Sequence, residues 1–102
     1  MLDKLKFNDF EDRIGETFQV TPQEGDAFEL ELRRADLSPY ADQPGYEEAG
    51  RKPFSIEFHS RLPEHTPQQI FTVEHEKLGR FDLFLVPLGP DSDGHRYEAV
   101  FA

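Results

Sequence analysis

The sequence predicts an all-β fold: a small antiparallel barrel or sandwich of about six strands, with a short N-terminal helix. Two observations carry this. Apolar residues recur with period two in run after run, most clearly where Phe28, Leu30 and Leu32 alternate with Glu29, Glu31 and Arg33; that is the mark of a strand with one buried face. Glycine and proline punctuate these runs at short intervals, the spacing expected of hairpins and short connections.

Asn8 and Glu11 have capping-box spacing, and Phe10 and Ile14, four apart, would share one face of a helix over 8–14. Gly15 follows as a residue able to take the left-handed conformation that ends a helix. Phe18 and Val20 then alternate with Thr17, Gln19 and Thr21, and the turn TPQEGD links this run to Phe28–Arg33 as an antiparallel hairpin. Residues 38–52, SPYADQPGYEEAGRK, have no periodicity and read as a long loop. Pro53 opens the next strand, where Phe54, Ile56 and Phe58 alternate with Ser55, Glu57 and His59.

A second Pro-containing connection, RLPEHTPQQ, leads to Phe71, Val73 and His75 on one phase, with Thr72 and Glu74 on the other. The Lys77-Leu78-Gly79 corner turns tightly into 81–88, where apolar residues occupy both phases. That run predicts a central strand covered on both faces, its second face meeting the helix through Phe10 and Ile14, and Pro87 closing it. Tyr97, Ala99 and Phe101 form the last strand, paired across the GPDSDG turn, with Arg96 and Glu98 on the opposite phase. The strands share alternation but no internal repeat.

Length and composition bound the function. At 102 residues the chain is a single domain, 1–102. Ten Phe and three Tyr provide enough large apolar area for a core although 31% of residues are charged. The net charge of -10 disfavours nucleic acid and anionic membrane surfaces, which recruit Lys and Arg, and favours basic protein patches. With no cysteine there is neither a disulfide framework nor a thiolate metal site. No apolar run approaches the roughly 20 residues of a membrane span, and the first residues lack a signal peptide's apolar stretch. Synthesis in the cytoplasm is expected.

Chemistry-bearing patterns are sparse. His59, His65, His75 and His95 show no metal-ligand spacing, and His75, on an apolar phase, reads as a satisfied core or rim histidine. Asp91-Ser92-Asp93-Gly94 resembles part of a calcium loop, but the first and last ligand positions would fall on Gly89 and Val100, so it reads as a hairpin turn. No serine has a nucleophile-elbow setting and no Gly-rich loop precedes a helix. Catalytic residues, cofactor and metal are therefore all expected to be none. The candidate partner-contact residues are Tyr40 and Tyr46, amphipathic rings in the long loop, and Arg51 and Lys52, a local basic spot.

The order of motifs resembles a known family. F-x-x-x-x-G-E-x-F-x-V (Phe10 to Val20), R-x-P-F-S-I-x-F (Arg51 to Phe58), E-H-E-x-L-G (Glu74 to Gly79), F-L-V-P-L-G-P (Phe84 to Pro90) and R-Y-E-A-V-F (Arg96 to Phe101) occur in succession, covering nearly the whole chain. They are similar to bacterial domains of about this length and of unknown function, often encoded beside tail-collar-type, microcystin-dependent-protein-like phage tail fibre proteins. The resemblance implies a structural or accessory subunit of a phage-tail-like or surface fibre assembly, incorporated into a virion-like or extracellular fibre. It implies a protein partner, with a tail-collar-type fibre protein the first candidate, and carries no catalytic residues. A homo-oligomer is compatible with it, and exposed sheet edges would be natural pairing templates. Two alternatives stay open: a small barrel holding an apolar ligand among its Phe rings, and a hydrolytic enzyme if His75 meets an Asp or Glu in a cleft.

Overall fold

A computed structural model of the chain describes residues 5–37, 53–61, 67–91 and 94–101. Alternation makes the strands, and their inward phases need one another. β1 (Thr17–Thr21), β2 (Phe28–Leu37), β3 (Phe54–Ser60), β4 (Gln69–His75), β5 (Gly79–Asp91) and β6 (Gly94–Phe101) close into a barrel of order β1-β2-β3-β6-β5-β4, antiparallel throughout. The barrel is two three-stranded meanders set side by side, so that first strand meets first (β1 with β4) and last meets last (β3 with β6).

The middle strands of the two meanders solve the same geometric problem in the same way. β2 pairs with β1 along Phe28–Glu31 and then with β3 from Glu31 to Leu37. Likewise, β5 pairs with β4 from Gly79 to Leu85 and with β6 from Val86 to Asp91. Each handover carries a register shift, between Leu32 and Arg34 in β2 and between Pro87 and Gly89 in β5. An extra residue bends a strand and sharpens its twist, which a narrow closed barrel requires. In β2 the shift also changes phase, so that Ala35 rather than Arg34 packs towards the core.

The inward phases form one core. Phe18, Val20, Leu30, Leu32, Phe54, Ile56, Phe58, Phe71, Val73, Leu85, Tyr97 and Ala99 are essentially inaccessible. One end is closed by Phe28, Phe71 and Tyr97, whose rings lie 6.1–6.4 Å apart. The other is plugged from outside the sheet by α1 (Phe7–Glu11). Phe10 inserts among Phe18, Phe54, Phe81 and Phe101, with centroid separations of 5.4–6.5 Å. Phe101 stacks on Phe54 at 4.4 Å and 8°. Each such ring contributes about 1.5–3 kcal/mol of burial free energy, so the plug is a substantial part of the core.

Several expectations are corrected. The helix is shorter than 8–14, and its N-cap is Lys6, not Asn8: the Lys6 backbone N–H donates to Asp9 Oδ2 at 2.8 Å. Chain direction changes from Asp12 onwards, so Ile14 leaves the helix and is 47% exposed while Phe10 is buried. The run 81–88 is not covered on both faces. Phe81, Leu83 and Leu85 point in, but Phe84 is 49% exposed on the outer side, and α1 reaches β5 through its inner residue Phe81. Pro87 does not end β5, because there the strand has passed the last β4 pairing and its missing N–H costs no bond on that side. Finally, closure gives every described strand two neighbours in the sheet, although β2 and β5 each pair with one neighbour at a time along most of their length.

Candidate functional site

The candidate contact residues Tyr40, Tyr46, Arg51 and Lys52 all lie outside the described residues, as does His65. The described chemistry is therefore that of the barrel wall and its corners.

His75 comes closest to a catalytic arrangement. The β1–β4 pairing brings Glu16, just before β1, to the end of β4, and His75 Nε2 lies 2.7 Å from Glu16 Oε1. The ring is 5% exposed and packs against Phe18, with centroids 4.4 Å apart. Its other nitrogen, Nδ1, accepts from the backbone N–H groups of Lys77 and Leu78 at 3.0 and 3.2 Å. Two backbone donors on Nδ1 leave the proton on Nε2, which donates to the carboxylate. Both nitrogens thus make hydrogen bonds within the fold, at the margin of an open cleft that His75 helps to line. The ring ties the Glu76–Leu78 turn to the start of β1. Gly79, paired with His75 directly after that turn, takes the left-handed conformation with φ +82. The predicted carboxylate contact is there; its geometry is that of a structural fastening.

His59 is on the predicted outward phase yet is only 4% exposed. It sits beside the Glu31–Arg33 pair: Arg33 Nε donates to Glu31 Oε1 at 2.6 Å and Arg33 Nη2 lies 3.4 Å from His59 Nδ1. A shallow cleft of about 470 Å³ runs past these residues, lined by Phe28, Leu30, Thr17 and Arg61 among others. Around the wall, Gln19 is flanked directly by Glu29 and Glu74, and a second open cleft of about 570 Å³ follows this acidic strip to Glu76 and Arg80. Among the described residues no group of three or more His, Asp or Glu side chains could hold a metal ion. No described helix is long and apolar enough to cross a membrane.

The outer wall of β4, β5 and β6 has the opposite character. Ile70 lies directly across from Phe84, and each is 49% exposed. Val86 pairs with Glu98 at the last β5–β6 pairing, and Val100, 71% exposed, follows on β6 beyond it. Leu88, at the bulge, is 40% exposed. Ile70, Phe84, Val86, Leu88 and Val100 therefore make an apolar stripe on one side of the barrel. None was singled out as a contact residue from the sequence, although two-phase apolarity in 81–88 was its visible trace. Asp82, which accepts from Thr72 Oγ1 at 3.2 Å, and Glu98 lie at its margins.

No curated protein and no solved structure matches the chain. The model of a family described as a domain of unknown function (DUF6916) matches residues 5–101, and the chain belongs to that family.

Proposed function

We propose that this domain is a non-enzymatic structural or accessory subunit acting by protein–protein contact, in a phage-tail-like or surface fibre assembly. The observation that carries the contact reading is the contrast between a committed interior and an uncommitted wall. The barrel's inward positions are filled by its own rings, while Phe84, Ile70 and Val100 stand outside in the sheet. A contiguous exposed apolar patch rimmed by charge is characteristic of an interaction surface. The engagement of both His75 nitrogens within the fold supports the non-enzymatic side of the reading. The fibre setting is the expectation attached to the motif resemblance, with a tail-collar-type fibre protein as the first partner to try.

Co-expression with a tail-collar-type fibre protein, followed by size-exclusion chromatography, tests this. Co-elution is expected; two separate peaks at micromolar concentration would reject the assembly reading.

A second reading draws on the cleft by Phe28, Leu30, His59 and Arg61, whose mixed apolar and polar lining suits a small amphipathic ligand. Under it, native mass spectrometry of the purified protein reports a retained mass. Under the leading reading the bare chain mass alone is seen.

A further inference from the structure

We infer that the outer wall of β4–β5–β6 is the docking surface, and that its partner presents aliphatic or aromatic side chains within a rim of lysine and arginine. This rests on the contact reading above and adds where the contact is made and what chemistry meets it.

The placement follows from what folding does and does not require. A closed antiparallel barrel needs its inward phase apolar, and Phe81, Leu83 and Leu85 satisfy that along β5. The outward phase of an isolated barrel is ordinarily polar, as it is around Gln19, Glu29 and Glu74. Phe84, Val86 and Leu88 break that rule in succession on one strand, and Ile70 and Val100 break it on the two neighbours. Single exposed apolar residues are common, but four of them with the half-buried Val86 on three adjacent strands form a surface.

Charge selects the occupant. Asp82 precedes Phe84 on the same outward phase of β5, and Glu98 stands opposite Val86. The nearest described cations are already engaged: Arg96 Nη1 is 3.3 Å from Glu57 Oε1, and Arg80 faces Glu74 at 3.9 Å. A second copy would bring another acidic rim and another net charge of -10 to the same face. Like charges set against one another at an interface are a device for rejecting a partner, while a basic rim is attracted and oriented. The occupant is therefore a different, basic-rimmed protein surface.

The test uses isotope-labelled full-length protein and two synthetic peptides, one alternating valine and phenylalanine with lysine, the other carrying glutamate in place of lysine. Titration at about 0.15 M salt, where charges beyond about 8 Å are screened, is followed through backbone amide shifts. The lysine peptide is expected to shift the amides of Ile70, Phe84, Val86, Leu88 and Val100, and the glutamate peptide to leave them unmoved. Phe84→Glu and, as a milder change, Phe84→Ser should weaken binding by on the order of tenfold or more with the melting curve retained. Shifts confined to the acidic strip at Gln19, Glu29 and Glu74, or none at all, overturn the proposal. So does sedimentation showing a dimer that Phe84→Glu dissolves, because the occupant is then a second copy. The two readings fail separately. A fibre-protein complex that survives Phe84→Glu with Val100→Glu removes this docking surface but leaves the assembly function. Correct peptide mapping without any fibre-protein complex does the reverse.

Discussion

Two sides of the same barrel wall differ in a way that the core beneath them does not. On the β2–β1–β4 side, Gln19 lies between Glu29 and Glu74, and the outward phase is polar and acidic. On the β4–β5–β6 side, Ile70, Phe84 and Val100 occupy the same phase. β4 belongs to both, passing from Ile70 to Glu74 within one strand. Beneath either side the inward residues are alike, with Phe18, Val20 and Leu30 under one and Phe71, Leu83 and Tyr97 under the other. Folding thus accounts for the inner phase everywhere and for the outer phase on the acidic side only. The apolar outer phase is not accounted for by the barrel core, and the docking surface is the proposal made for it.

The comparison is most severely tested at a residue serving both sides. Phe71 points inward from β4 and is fully buried against Phe28 and Tyr97. Phe71→Ala should cost about 3–5 kcal/mol in chemical denaturation, through lost burial and the cavity left behind. The loss should be cooperative, with amides on both sides losing protection together. Loss on one side alone would mean that the two meanders are separate units.

Gly94 tests the seam between them. It has φ +142, and a Cβ there would clash with the Ser60 carbonyl oxygen at the end of β3. Gly94→Ala should cost about 1–3 kcal/mol by forcing the β3–β6 junction apart. A melting temperature equal to wild type would show that the junction has slack.

The fastening at His75 tests the acidic side. His75→Ala removes the acceptor of two backbone N–H groups and the donor to Glu16, and about 1–2 kcal/mol of stability should go with it. Glu16→Gln keeps an acceptor oxygen and should cost less, about 0.5–1 kcal/mol. A hydrolase would behave otherwise, with either change abolishing turnover and sparing the fold.

Much of this architecture was legible from residue order, for a physical reason. Alternation is local, so Phe54, Ile56 and Phe58, or Phe28, Leu30 and Leu32, declare their inward phase without reference to any other strand. Bulges are half-legible: two arginines in succession at Arg33 and Arg34, with Ala35 and Leu37 on the shifted phase, leave a trace of the extra residue in β2. Barrel closure is not legible, because pairing β1 with β4 is a property of the whole sheet. The same non-local pairing brings Glu16 to His75 across 59 positions, so the partner of that histidine could not be named in advance. Phe84 shows the limit most plainly. An apolar residue on a second strand phase looks the same whether another layer of this chain covers it or an outside partner does. The assembled wall shows only that none of the described strands or the described helix covers it.

If the apolar side of the wall is reserved for a partner, it is not needed for folding. The most direct measurement is the stability of the triple variant Ile70→Thr, Phe84→Thr, Val100→Thr, read by denaturation beside Phe71→Ala. Threonine keeps strand propensity, so only cross-strand contacts such as Ile70 with Phe84 are lost, and the account predicts a change of about 1 kcal/mol. That would be well below the cost of the single inward substitution. A triple variant that loses as much as Phe71→Ala would show the stripe to be core, and would contradict the assignment of this face to a partner.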